Sequence, residues 1–316
     1  MVEYFYKNPQ NEVCCCTGTD FQSVVATGTM LWIDICDPTG EEKRAVEAYL
    51  GSAIQSRAQA EEIESSSRYH ESDTAIFANT NFISPGPEDY VVETVSFMIT
   101  NDILTTLREN PIRSFTELQR RLMAFPNLYP NGTTLMVSIL EQRVDRDADL
   151  VELASKEISQ YNKKIAVGED ISEEFLLDIN QLQENIMLLR ENMVDKQRLV
   201  NFLMKSPKFP RKKDAKLNVI LRDINSLINH INFSFERLEY LQNTVIGIIN
   251  LDQNKIMKVF TLVSLLLMPP TLIASFYGMN VDLPILGTGW DPIIIIALMV
   301  ASFALVLYLF KRKKML

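Results

Sequence analysis

Two stretches of this sequence contain no Lys, Arg, Asp or Glu. Charged side chains make up 22% of the 316 residues and are spread over positions 1 to 258. They are absent from Val259 through Val281, and again from Pro292 to Phe310. Histidine is nearly missing: His70 and His230 are the only two, and neither has Cys or carboxylate neighbours at ligand spacing, which argues against a zinc site built on them. No glycine-rich phosphate-cradling motif occurs, so neither ATP nor nucleic acid is an expected partner. The N-terminus, MVEYFYKNPQNEV, lacks the basic segment and apolar run of a cleaved signal. The four cysteines, Cys14, Cys15, Cys16 and Cys36, suit a reducing compartment. Adjacent residues of a strand point to opposite faces, which argues against metal binding by the Cys14-Cys15-Cys16 run.

Each charge-free stretch is long enough to cross a hydrocarbon core, which takes roughly 17–25 apolar residues as a helix. A pair of helices buried in a soluble core would keep some polar face, and Ile293 to Phe310 has only Ser302 and Tyr308. The reading is two membrane spans, about 259–280 and 292–310, behind a large N-terminal part. Lys255 and Lys258 precede the first span, and the basic tail 311–316 follows the second. The loop 281–291 carries only Asp282 and Asp291. Positive residues stay cytoplasmic, so both termini are expected in the cytosol, the loop outside, and the protein in a bacterial inner membrane.

The soluble part reads as a mixed α+β domain of α/β/α layers over 1–132. Its strand-like runs are Val2–Tyr6, Glu12–Thr17, Met30–Ile35, Ala75–Ile83, Val91–Thr100 and Ile103–Leu107. Thr39 to Glu42 and Ser114 to Glu117 both have the spacing of a capping box. A helical hairpin is expected over 133–213, with helices Thr134–Val167 and Ile171–Lys205. After the polar break at 206–214, a stalk helix over 214–280 runs into the first span. Leu217, Leu221, Ile224, Ile228, Ile231, Phe235 and Leu238 alternate steps of four and three, the pattern of a helix packed along a seam. From Ala215 to Gly278 that helix would measure on the order of 95 Å.

Within the first span the polar side chains fall in one stripe. Stepping back by threes and fours from Gly278 gives Ser275, Thr271, Met268, Ser264, Thr261, Met257 and Asn254. Hydroxyls on such a helix commonly bond back to their own backbone or join two helices. The other reading is a pore lining, which demands several copies around an axis because one helix encloses nothing.

The tail QNKIMKVFTLVSLLLMPPTLIASFYGMN, the short loop, the second span and the closing KRKKML resemble the CorA family of divalent-cation channels. LWIDICDPTGEE, SRAQAEEIESSSRYHESD and LRDINSLINH extend that resemblance to nearly the whole chain and to the enterobacterial branch. The resemblance implies a homopentamer in a lipid bilayer that carries Mg²⁺ inward, with Co²⁺ and Ni²⁺ as alternative substrates. It implies a selectivity mouth of Tyr277, Gly278, Met279 and Asn280, and it places Asn254, Met257, Phe260, Met268 and Thr271 on pore-lining or constricting positions. Phe260 lies one residue off the stripe, so resemblance and periodicity differ there. The resemblance also implies that cytosolic Mg²⁺ bound between neighbouring copies holds the channel shut. Asp223 is the first choice for that role, with Glu61, Glu64 and Asp73 of the 61–73 acidic cluster next; such a cluster is more often a solvated face. Relatives commonly carry Met-Pro-Glu-Leu in the outer loop, where this chain has Leu283-Pro284-Ile285-Leu286, leaving Asp282 and Asp291 as the charges there.

The chemistry fits these residue types. Mg²⁺ dehydrates reluctantly and prefers octahedral oxygen ligands with several waters kept. Amide and backbone oxygens can accept from those waters without stripping them, and a neutral lining lets the ion leave. The runner-up is a related zinc transporter, with or without proton coupling. Relatives of that kind carry Gly-Ile-Asn or Gly-Val-Asn in place of Gly278-Met279-Asn280. A membrane-anchored scaffold is the non-transport reading, and it needs no polar stripe. None of these readings makes the chain an enzyme.

Overall fold

The computed structural model describes residues 1–22, 28–55, 68–86, 89–168, 173–279 and 290–312. The described residues form two compact units, Met1–Gln242 and Asn243–Leu316. Seven strands of the first unit make one sheet: β1 Val2–Lys7, β2 Val13–Thr17, β3 Thr29–Cys36, β4 Tyr69–Glu71, β5 Ala75–Pro85, β6 Tyr90–Thr100 and β7 Ile103–Arg108. Their order is β2-β1-β3-β7-β6-β5-β4, with β3 and β7 parallel and every other pair antiparallel. All six expected strand runs are strands. β4, three residues long, offers too little pattern to be seen in the sequence.

The helices are α1 Gly40–Leu50, α2 Arg113–Ala124, α3 Gly132–Val167, α4 Glu173–Lys205, α5 Asp214–Tyr277 and α6 Asp291–Arg312. Thr39 caps α1 as its spacing predicts: its hydroxyl accepts from the Glu42 amide at 3.2 Å, and the Glu42 carboxylate accepts from the Thr39 amide at 2.9 Å. The second expected box does not form. α2 starts two residues earlier, after Ile112, with no side-chain cap, and Glu117 pairs instead with Arg113 at 2.9 Å and Arg146 at 2.7 Å. Two guanidinium partners outcompete one serine amide for that carboxylate.

One face of the sheet packs Val2, Tyr4, Met30, Ile33, Ile35 and Met98 against Val46 and Leu50 of α1. The other face carries Phe5, Trp32, Phe82 and Phe97, and Phe115 of α2 lies 5.9 Å from the Trp32 ring centre and 5.8 Å from that of Phe82. α3 and α4 lie against the strands as well, which completes α/β/α layers. Two charged groups cross the interior. Across the parallel β3–β7 pair, Trp32 donates to Thr106, Thr106 to Asp34 at 2.8 Å, and Arg108 to Asp34 at 2.8 Å. Between α3 and α4, Asp147 pairs with Arg143 and with Lys196 at 3.1 Å, and Lys196 donates to the Asn81 carbonyl at 2.7 Å. Each buried charge thus has the partner that burial requires.

On α5 the buried positions Leu217, Ile220, Ile224, Ile231, Ser234, Leu238 and Leu241 form a seam of threes and fours, with one step of seven between Ile224 and Ile231. The expected seam shares Leu217, Ile224, Ile231 and Leu238 with it. Its intervening members differ: the line runs through Ile220 and Ser234, while Leu221, Ile228 and Phe235 stand only half-buried at its flank. A serine at a seam position hides that line from a reading that follows apolar residues alone.

The second unit holds the C-terminal part of α5 and all of α6. Both contain runs long and apolar enough to cross a membrane, and almost none of either run is buried. Core helices of a soluble protein are mostly buried, so that reading of the two runs fails. Apolar surface this extensive needs a cover such as lipid or further copies of the chain.

Candidate functional site

The polar stripe lies on one arc of α5. At about 100° per residue, Asn254, Met257, Thr261, Ser264, Met268, Thr271 and Ser275 span roughly 100°, and all seven are exposed. The less exposed residues of the same segment are Leu262, Leu266, Pro269, Pro270, Ile273 and Tyr277. They fall on an arc centred roughly 160–200° away. The unit therefore partly covers the side of the helix opposite the stripe and leaves the stripe itself uncovered. Phe260 is 69% exposed and sits about 70° off the centre of the stripe, so it flanks the line without belonging to it.

Two stripe hydroxyls bond within the helix, Thr261 to the Met257 carbonyl at 2.8 Å and Thr271 to the Leu267 carbonyl at 2.7 Å. Such a hydroxyl has spent its proton and presents its lone pairs outward, as an acceptor for the protons of a water. Helix α5 continues through Pro269 and Pro270. Neither proline has an amide hydrogen, so the carbonyls of Leu265 and Leu266 lose their usual helical donors. Every one of these groups offers oxygen and none offers charge.

At the C-terminal end of α5, Tyr277 is half-buried while Gly278 and Met279 are exposed. The Gly278 amide donates to the Ala274 carbonyl at 2.9 Å, and a Cβ added at Gly278 would stand 3.0 Å from that oxygen. The chain closes on itself tightly here, and a side chain would strain the turn. Asn280 and Asp282 lie outside the described residues; of Asp291 only its place at the start of α6 is described. Beyond the other end of the stripe, Lys255 pairs with Asp252 at 2.7 Å on the surface.

Asp223 is exposed on α5, within the first unit. It faces carboxylates of α3: burial first, and then the charges of Glu141, Asp223 and Asp149, push the Asp145 carboxyl above its ordinary range. The i, i+4 spacing of Glu141, Asp145 and Asp149 signals one acidic face, which the sequence reading did not connect to Asp223. Among the described residues, no three His, Cys, Asp or Glu side chains are close enough to share a metal within the chain. Asp73 is exposed just before β5, and Glu61 and Glu64 lie outside the described residues.

The profile of the family described as CorA-like Mg2+ transporter protein matches residues 27–312. A magnesium transport protein CorA from Wolinella succinogenes is 34% identical over 304 residues, covering 94% of this chain and 95% of that one. The protein of the same name from Escherichia coli K12 is 33% identical over 291 residues, covering 90% and 92%. Among solved structures, the CorA magnesium transporter of Methanocaldococcus jannaschii superposes with a TM-score of 0.80 at 19% identity, over 99% of this chain and 98% of that one. That likeness is one of fold: an α/β domain, a long helix and two apolar C-terminal helices.

Proposed function

The chain belongs to the CorA-like Mg2+ transporter family, and from that premise we propose that it is a channel through which Mg²⁺ enters the cell down the membrane potential. The observation that carries this reading is the uncharged polar stripe of α5, left uncovered on the side opposite the partly covered face. One stripe encloses nothing; five copies around an axis would turn five stripes inward and leave α6 toward lipid. Hydrated Mg²⁺ would then meet rings of hydroxyl and carbonyl oxygen that hold its waters without replacing them. Gly278, Met279 and Asn280 form the outer mouth and Met257 the narrowest apolar ring, with Phe260 at its flank. Co²⁺ and Ni²⁺, ions that also keep octahedral water, share the path.

In this reading both termini and the first unit are cytoplasmic, and Mg²⁺ bound at Asp223 between neighbouring copies favours the closed state. The test is flux into liposomes holding the purified protein, a Mg²⁺-sensitive dye and an inside-negative potential. Dye signal that rises with the potential supports the channel. Flux of Zn²⁺ but not Mg²⁺, accompanied by protons, would replace it with the zinc reading.

A further inference from the structure

The register of β2 against β1 sets Cys14 opposite Tyr6 and Cys16 opposite Tyr4. Side chains alternate along a strand, so Cys14 and Cys16 share one face with the two tyrosines while Cys15 points to the other. On that other side the Glu3 carboxylate lies near Cys15. Cys14 and Cys16 are half-buried, and Cys16 and Tyr6 both pack against the core under α1. The Tyr6 hydroxyl is within hydrogen-bonding reach of both thiols. Two sulfurs therefore approach one oxygen on one face of an edge strand.

We propose that Cys14 and Cys16 form a two-thiolate site for a soft monovalent cation of the Cu(I) class, with the Tyr6 hydroxyl beside the sulfurs. Residues two apart in a strand have Cα atoms about 6.6 Å apart with side chains running side by side. That is the far end of the disulfide range, and a sulfur–sulfur bond of about 2.05 Å would need the two side chains to converge. A metal between them, at about 2.3 Å from each sulfur, needs the sulfurs only about 4.6 Å apart. Structural zinc takes four ligands, and among the described residues no third His, Cys, Asp or Glu completes a group here. Thiolate pairs select soft cations over the oxygen-seeking Mg²⁺ of the proposed pore, so the two sites do not compete. Binding releases two protons: Cu⁺ and two thiols give a bis-thiolate complex of net charge −1 and two H⁺.

The experiment titrates the full-length protein in detergent, without oxygen, against Cu(I) held by the coloured chelator bicinchoninate. The parent and Cys15→Ser are expected to withdraw one Cu(I) per chain, and Cys14→Ser and Cys16→Ser to bind at least tenfold more weakly. A parent that withdraws none, or a Cys14→Ser/Cys16→Ser double variant that matches it, overturns the proposal. Phenylarsine oxide supplies a readout that leaves the proposed ligands in place, because its arsenic condenses with two thiols and releases one water. In Cys15→Ser, peptide mapping should find one arsenic bridging positions 14 and 16, and prior Cu(I) should block it. An absent bridge, or one indifferent to Cu(I), counts against the site.

Discussion

In the proposed channel Asn280, three residues beyond α5 in the sequence, supplies the outer mouth with an amide oxygen that can accept from the water shell of an arriving ion. Asn280→Ala is expected to reduce Mg²⁺ flux to background in liposomes while the assembly stays intact by size-exclusion chromatography. A purified variant with unchanged flux would remove Asn280 from the mouth. Lys196 makes a different argument from a single residue. Burial outweighs the attraction of Asp147 and lowers its pKa from 10.5 to about 8. Between those values the unfolded chain binds more protons than the folded one, so this group's contribution to stability rises with pH across that window. Against Lys196→Met, the parent should gain stability as pH rises from about 8 to 10, on the order of 1 kcal/mol per pH unit at most. Urea unfolding followed by circular dichroism, with the full chain in detergent, measures it; parallel pH profiles would show that Lys196 does not titrate in that range.

At the scale of elements, regular pattern was legible and compensation was not. The strands β1, β3, β5, β6 and β7 announce themselves by β-rich runs, and α1 by a cap that the structure forms. α2 carried an equally good capping signal that failed, because the arginine competing for Glu117 comes from α3, 29 residues on. The α5 seam was half-read for a similar reason: Ser234 occupies a buried place that composition assigns to solvent. The polar stripe was read whole, since helical spacing alone defines it, whereas the face beneath it needed the fold. The group of Asp223 with Glu141, Asp145 and Asp149 joins two helices and so had no local signature. Asp145 has a folded pKa raised by burial and by these neighbours; its contribution to stability is present at low pH and is lost as pH rises through that folded value. Removing one neighbour relieves the repulsion. Asp223→Ala should therefore melt higher than the parent in EDTA at neutral pH, yet gain less from added Mg²⁺, because a ligand shifts an equilibrium only by its differential affinity. Equal protection of both from proteolysis by Mg²⁺ would exclude Asp223 as a regulatory ligand.

For the whole molecule, charge sets how ions arrive. The chain carries a net charge of −9, and the loop 281–291, external in the proposed channel, has only Asp282 and Asp291 as charged side chains. In a fivefold assembly, Ile285→Glu would add a ring of five carboxylates near the mouth, raising the local cation concentration over a Debye length of about 8 Å. The half-saturating Mg²⁺ concentration should fall several-fold at low salt, with the gain shrinking as salt rises and maximal flux little changed. An unaltered concentration dependence would mean that this loop gathers no ions. The parallel β3–β7 pair bears on how such a molecule is made. β3 must wait for β7, but once Arg108 has been synthesised the ribosome still has about 150 residues to add before Val259, roughly 8–30 s at 5–20 residues per second. That interval is long compared with the milliseconds to seconds in which sheets of this kind close. The sheet can therefore form on the nascent chain before the first apolar span leaves the ribosome, and the insertion machinery receives a tethered domain whose sheet is already paired, followed by two closely spaced helices.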